Sequence, residues 1–353
     1  MGLIRNLLSE GNDVICIAPT DGYSDRLVQE GCTFIHVPME ARSVNPFKDL
    51  ALTRRLYKIY KQVRPDVILQ YTIKPNIYGT LAARTLKIPV INNVCGLGSA
   101  FIRGGLVTNI VNLLYKTAFL FAGKVFFQNP DDYELFVSKG ITSTDKSEIL
   151  PGSGIDTRLF NMAIKDKNDQ FTFLMISRLI KDKGVLEYLN AAEMLKKKDN
   201  SVKIQLLGAI DEHATHGISR EVLESYVRSG VIEYLGTTDD VRPFIQNADC
   251  IVLPSYREGT PRTLLEASAM GKPIIATNTP GCNQIVKKDL NGILVEVKNA
   301  DSLLHGMTEM KSTPHELRTK WGSNGRKLVE DQFDETIVIE KYKKGIKELT
   351  QSF

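Results

Sequence analysis

Short apolar runs rich in Val, Ile and Phe alternate with amphipathic stretches along nearly the whole chain. In the first half the runs are Val14–Ala18, Thr33–Val37, Val67–Gln70, Pro89–Asn93 and Lys124–Gln128. Short continuous apolar runs between turn formers predict strands buried on both faces. The segments between them, near Asp49–Val63, Ile77–Leu86, Leu106–Phe121 and Asp131–Lys139, carry apolar residues at helical spacing. The second half repeats the rhythm, with strands over Phe171–Ser177, Val202–Gly208, Val231–Leu235, Cys250–Pro254 and Pro273–Thr277. Its helices fall at Val185–Lys197, Arg220–Ser229, Val241–Asn247 and Pro261–Met270. Strand and helix in turn predict an α/β protein with parallel, doubly wound sheets. No repeat of solenoid length is present.

A seam lies at Leu150–Phe160, rich in Gly and turn formers, before the charged stretch Lys165–Asp169. It predicts an N-terminal domain over 1–155 and a second over 156–334, facing each other across a cleft. A charged amphipathic helix, Glu335–Leu349 within 335–353, would brace the two. In such sheets ligands sit at the carboxyl ends of the strands. The start is unusual. Leu3–Glu10 reads as a helix followed by the strand Val14–Ala18, whereas a parallel unit supplies a strand and a tight turn before its first helix. The pattern predicts an N-terminal domain lacking that first strand and its glycine turn, and therefore a sheet with an open edge. A domain that simply begins with a helix is the alternative.

At 353 residues, with 42% apolar and 24% charged positions, the chain is ordinary globular material for two cores. The cysteines Cys16, Cys32, Cys95, Cys250 and Cys282 are odd in number and scattered. They form neither a disulfide framework nor a zinc motif, and they fit a reducing compartment. Net charge is +4, too mild to indicate nucleic acid. Between Arg42 and Arg103, however, eleven Lys or Arg meet only two acids, Asp49 and Asp66. That band suits an anionic surface or a phosphorylated substrate, or else a set of solvated helix faces. The most apolar window, Leu106–Ala122, is interrupted by Asn109, Asn112 and Lys116, so it reads as a buried or interfacial helix, not a span.

The chemistry concentrates in Pro254–Pro273 (PSYREGTPRTLLEASAMGKP), which begins where a strand ends. Thr260 is the expected helix cap and Pro261 the first helical residue, with Gly271 and Pro273 as the stop. The amides of Gly259, Thr260, Arg262 and Thr263, around Pro261, which has no N–H, then present a helix N-terminus, which attracts a diphosphate. Glu258 stands just before the helix, and Glu266 lies roughly 7–8 Å along it. Carboxylates are acceptors only, which suits the hydroxyls at the two ends of a sugar–diphosphate–ribose. Taken singly, each glutamate also reads as a cap or a solvated acid. Arg178 follows a strand, and Lys183 precedes a helix start, where a cation needs a compensating anion.

These residues carry a resemblance. The chain resembles retaining glycosyltransferases of family 4, over nearly its whole length, through Glu258 and Glu266 in the double-glutamate element and Arg178 with Lys183 as the basic pair. The resemblance implies the GT-B fold of two Rossmann-like domains and a nucleotide-sugar co-substrate, with no metal and no cofactor. It implies that Arg178 and Lys183 hold the donor diphosphate, that Glu258 meets the transferred sugar and Glu266 the ribose. Gly208 and the segment of Tyr234 and Leu235 would lie near the base. Ala41–Phe47, Tyr71–Gly79 and Gly96–Ser99 are similar to enzymes that extend diphospho-undecaprenol-linked sugars in O-antigen, capsule or protein-glycan assembly. That similarity implies a UDP-sugar donor, a lipid-linked saccharide acceptor bound near Arg42, Lys74, Gly96, Gly98 and Arg103, and residence on the cytoplasmic face of the inner membrane. Relatives often carry a histidine in the stretch occupied here by Gln70–Lys74, and this chain has none.

The resulting expectation is transfer with retention, the diphosphate clamped by Arg178 and Lys183 while the acceptor attacks on the same face. Two alternatives stand beside it: a nucleotide-sugar 2-epimerase, and a non-catalytic nucleotide-sugar binder. Nucleic acid is the weakest reading, since Phe47, Tyr57, Tyr60, Tyr71 and Tyr78 fit a core better than a stacking platform.

Overall fold

A computed structural model describes residues 1–40, 45–97, 106–162, 165, 170–211 and 217–351. The chain forms two compact units, Met1–Gly152 with Glu335–Phe353, and Ser153–Asp334.

The second unit is built on a six-stranded parallel sheet. Its strands are β7 (Thr172–Ile176), β8 (Lys203–Leu207), β9 (Glu233–Tyr234), β10 (Cys250–Leu253), β11 (Ile274–Thr277) and β12 (Gly292–Val295), in the order β12-β11-β10-β7-β8-β9. Alternating side chains explain why its strands read as unbroken apolar runs. Phe173 and Met175 of β7 enter a core with Ile204, Leu206, Val252 and Ile275. Leu174 and Ile176 enter the opposite core with Leu207, Ile251, Leu253 and Ile274. Both faces are buried, and each fully buried aliphatic side chain contributes roughly 1.5–3 kcal/mol.

The first unit holds a four-stranded parallel sheet of β3 (Ile68–Tyr71), β4 (Val90–Val94), β5 (Lys124–Phe127) and β6 (Ser147–Ile149), in chain order. A separate two-stranded parallel sheet pairs β1 (Ile15–Ala18) with β2 (Thr33–His36). Ile17 of β1 packs on the core that contains Ile68 of β3, yet no strand ladder joins the two sheets among the described residues. One face of the larger sheet (Val94, Val125, Phe127) packs on Tyr115, Phe119 and Phe136. The other face (Ile91, Phe126) is covered by Val338 and Tyr342 of the helix Glu335–Thr350. The Tyr342 hydroxyl accepts from Asn93 Nδ2 at 2.5 Å, and its ring meets Phe126 edge-on at 5.0 Å. The C-terminal helix therefore belongs to the first unit's core.

Two local departures have physical causes. The helix expected from Asp49 begins at Pro46, because Asn45 caps the amides of Phe47 and Lys48 and proline fits the first turn. The segment expected as one helix from Ile77 opens with a π-turn, Pro75–Gly79, before the helix Thr80–Arg84. Gly79 lets the turn pack closely on β3: a Cβ there would lie 2.6 Å from the buried Gln70 amide.

Candidate active site

The carboxyl edge of the second unit's sheet gathers most of the predicted donor residues. Arg178 stands two residues beyond the end of β7, exposed, with no ion pair among the described residues. The chain then makes a short turn, Lys181–Lys183, and Gly184 caps the helix Val185–Lys198 in a left-handed conformation (φ +73°). A Cβ on Gly184 would sit 2.1 Å from the Pro254 carbonyl, so glycine lets this turn touch the loop after β10. Tyr256 N donates to Asp182 O at 2.9 Å and ties the same two loops. The result is a direct contact: the Lys183 ammonium donates to Glu258 Oε1, with the carboxylate side chain only 11% exposed.

A third loop supports Glu258 from behind. Gly281 (φ +82°) approaches so closely that a Cβ would lie 2.5 Å from Gly259 O and 2.7 Å from Glu258 O. Glu258 N donates to Pro280 O at 3.2 Å. The neighbouring Cys282 thiol is pushed up to about 12 by burial and by the Glu258 charge, against the Thr279 and Thr277 hydroxyls and Lys183. It is therefore an inert packing group.

The second glutamate lies on the helix Arg262–Ala269. The helix starts one residue later than expected: Pro261 has extended backbone (ψ 115°) and occupies the cap position assigned to Thr260. Its first-turn amides have no carbonyl within the helix to bond, which keeps the anion-attracting end. Thr263 Oγ1 donates to Ile176 O at 3.2 Å and anchors the helix to the end of β7. Glu266 is 8% exposed and pairs with Arg262 Nε at 2.8 Å. Burial raises its carboxyl above the usual value, and the Arg262 charge partly opposes that rise. Each predicted acid thus already has its own cation.

Beyond β8, Gly208 (φ +148°) lies where a Cβ would be 1.7 Å from Ser177 O. Its amide donates to Gly236 O at 2.8 Å, and its carbonyl accepts from the Tyr234 hydroxyl at 2.9 Å. Leu235 N donates to Leu206 O at 2.9 Å. Gly208, Tyr234 and Leu235 are thereby held together beside the root of Arg178.

Of the acceptor candidates in the first unit, Arg42, Gly98 and Arg103 lie outside the described residues. Gly96 follows β4 with φ +128°. Lys74, 8% exposed, follows β3, and its Nζ contacts Asp49 Oδ1 at 2.6 Å. That contact changes what Lys74 can do, because its charge is already balanced.

Three residues escaped the sequence reading. Asp49 was visible only as one of two acids in a basic band. Gly281 was marked only by a Pro-Gly pair after a strand. Glu187 stands in the first turn of its helix and accepts from the Tyr256 hydroxyl at 2.8 Å, a link across 69 residues that leaves no local signal. Among the described residues no group of three His, Cys, Asp or Glu is arranged to hold a metal ion, and no helix is long and apolar enough to cross a membrane.

Two units, each on parallel sheets, have the GT-B architecture, and solved structures share this fold. A glycosyltransferase from Rickettsia africae matches with a TM-score of 0.76 at 21% identity, over 98% of this chain and 93% of that one. The sucrose-phosphate synthase of Thermosynechococcus elongatus matches with a TM-score of 0.82 at 18% identity, over 100% and 92%. The family described as glycosyl transferases group 1 matches residues 158–328, and the glycosyl transferase 4-like family matches residues 1–129. The chain is 32% identical to the N,N'-diacetylbacillosaminyl-diphospho-undecaprenol alpha-1,3-N-acetylgalactosaminyltransferase of Campylobacter jejuni, over 98% of this chain and 93% of that protein. It is 25% identical to the UDP-Gal:alpha-D-GlcNAc-diphosphoundecaprenol alpha-1,3-galactosyltransferase of Escherichia coli, over 86% and 81%. The chain belongs to this glycosyltransferase family.

Proposed function

We propose that this glycosyltransferase moves a hexose or N-acetylhexosamine from a UDP-sugar, with retention, onto a saccharide carried by a prenyl diphosphate. The observation that carries the reading is the Lys183–Glu258 contact beside the helix start that leads to Glu266. A diphosphate entering there offers Lys183 a stronger partner and releases Glu258 to accept a sugar hydroxyl. Glu266, one turn along that helix, would accept from the ribose. Arg178 and Lys183 supply the positive charge that a departing nucleotide diphosphate needs, so the reaction runs without a metal. The departing oxygen, held in place, takes the acceptor's proton on the face from which it leaves, which preserves the anomeric configuration. The acceptor class follows the Campylobacter and Escherichia relatives, whose names specify diphospho-undecaprenol-linked sugars.

The first unit favours work at an anionic membrane face. Phe47 (83% exposed) and Leu50 lie on the helix Pro46–Val63, and Ile110 and Leu113 on the helix Leu106–Phe119, with Leu120 just beyond it. The basic residues Arg54, Arg55, Lys58, Lys61 and Lys116 are exposed on the same two helices. Apolar tips among exposed cations suit insertion into a negatively charged interface.

The test is a screen of sugar nucleotides against prenyl-diphosphate-linked N-acetylhexosamines, with and without EDTA. The product anomer is read by NMR, and vesicle co-sedimentation is measured with and without anionic lipid. Product with inverted configuration, activity abolished by EDTA, or equal binding to neutral vesicles would each remove the corresponding part of the reading. Free epimerised nucleotide sugar without acceptor would favour the epimerase.

A further inference from the structure

At the carboxyl end of β3 the first unit concentrates features that its core does not require. Thr72, β-branched, adopts a left-handed backbone (φ +68°). Such a residue there is strained, and strain of this kind is retained at sites of function. The π-turn Pro75–Gly79 follows at once, a geometry also concentrated at such sites. Together they deliver Lys74 to Asp49, which the Asn45-capped helix presents on its buried side with Leu52 and Leu56. Asp49 Oδ1 takes the ammonium at 2.6 Å, and Oδ2 accepts the Tyr78 hydroxyl at 2.9 Å. Both charged side chains are about nine-tenths buried, at 10% and 9% exposure. Burial and the Asp49 carboxylate push the Tyr78 hydroxyl well up, so it remains a donor.

The hydrogen-bond inventory of this cluster is unfinished. An ammonium has three N–H donors, and Lys74 has Asp49 as its one partner among the described residues. The carboxylate has about four acceptor positions, of which Lys74 and Tyr78 use two. Among the described residues the cluster is neutral as a whole, and protein partners use one of the ammonium's three N–H groups and two of the carboxylate's acceptor positions. Asp49 is held by the Tyr78 hydroxyl as well as by Lys74, so a diphosphate here would face its carboxylate without the helix start that stands beside Lys183. A sugar hydroxyl fits better, because it accepts from Lys74 and donates to Asp49 at once.

We propose that Asp49, Lys74 and Tyr78 form the subsite that binds a hydroxyl of the acceptor saccharide, with Asp49 a sugar-binding residue, and that the acceptor diphosphate is held elsewhere. This rests on the transferase reading and specifies which half of the acceptor the cluster contacts.

The experiment uses the full chain with whichever prenyl-diphosphate-linked saccharide supports turnover. Acceptor KM, donor KM and acceptor-independent donor hydrolysis are measured for wild type, Asp49→Asn, Lys74→Met and Tyr78→Phe, with sodium pyrophosphate as a competing probe. Asp49→Asn and Lys74→Met are expected to raise acceptor KM tenfold or more. Tyr78→Phe, which removes one hydroxyl and tests the case where the first two fold poorly, is expected to raise it about threefold. Donor KM, donor hydrolysis and pyrophosphate inhibition stay at wild-type values. A purely structural ion pair would lower the melting temperature and leave acceptor KM within twofold, which overturns the proposal. Weakened pyrophosphate inhibition in Lys74→Met overturns it in favour of a phosphate site. A wild-type chain with no turnover on any acceptor refutes the transferase reading itself, and this subsite with it.

Discussion

Lys183 and Glu258, 75 residues apart in the chain, are bound to each other. On the proposed reading, the cation that would hold a phosphate and the acid that would accept from a sugar neutralise one another. On that reading, donor binding would exchange these partners and couple phosphate recognition to sugar recognition.

Replacing Lys183 by Ala is expected to slow turnover by a factor that corresponds to about 2–4 kcal/mol of barrier, since a leaving-group cation is lost. It should also lower the melting temperature, because Glu258 is left largely buried and unpaired. The double variant Lys183→Met with Glu258→Gln should recover melting but not activity. Single-turnover kinetics and calorimetric melting separate the two effects.

Gly281→Ala forces a Cβ into the carbonyls of Gly259 and Glu258 and strains a left-handed backbone. The expected result is a donor KM raised severalfold or more and a stability loss of about 1–3 kcal/mol. Steady-state kinetics with denaturant titration would check it. An unchanged donor KM would show that this loop does not position Glu258.

How much of this was legible beforehand depended on how local the cause was. The helix after β10 was legible because its Gly-Thr-Pro start and Gly stop are neighbours in sequence, although Pro261 displaced Thr260 as the cap. The alternating cores of the second unit were legible as continuous apolar runs. The Asp49–Lys74 pair was not, because it spans 25 residues and depends on a π-turn that no periodicity announces. The helices Ala300–Ser312 and His315–Gln332 went unassigned because the strand-and-helix rhythm used for the rest of the chain ends before them.

Glu266 should give the donor KM an acid limb. Its carboxyl titrates above the usual range because it is buried, and only the ionised form is acceptor on both oxygens. Donor KM is therefore expected to rise on acidification earlier than an ordinary glutamate would allow. Glu266→Gln should flatten that limb, and Glu266→Ala should raise donor KM about tenfold at neutral pH. A pH series of donor KM for the three proteins tests this.

Lys272 gives a stability prediction away from the site. It is 6% exposed and donates to Gln246 O at 2.7 Å. Burial lowers its ammonium from 10.5 to about 8, with Asp249 opposing the fall. Between these values the unfolded chain holds the proton more tightly, so folding stability rises with pH across that window. The shift corresponds to roughly 3 kcal/mol. Lys272→Met should stabilise the fold at pH 7, by about 1–2 kcal/mol once the lost hydrogen bond is counted. The gain over wild type should shrink as pH approaches 10.5. Urea titrations of both proteins across this range are the measurement.

The separation of β1–β2 from β3–β6 bears on handling the protein. Among the described residues β1 and β3 each have a hydrogen-bonded strand on one side only, while Ile17 and Ile68 share a common apolar core. Main-chain groups along the side of each strand that no ladder uses are the kind of strip onto which an extended segment, including the same segment of another molecule, is expected to dock. Concentrated preparations would self-associate through that strip first, and short peptides of strand-forming sequence would compete with the process.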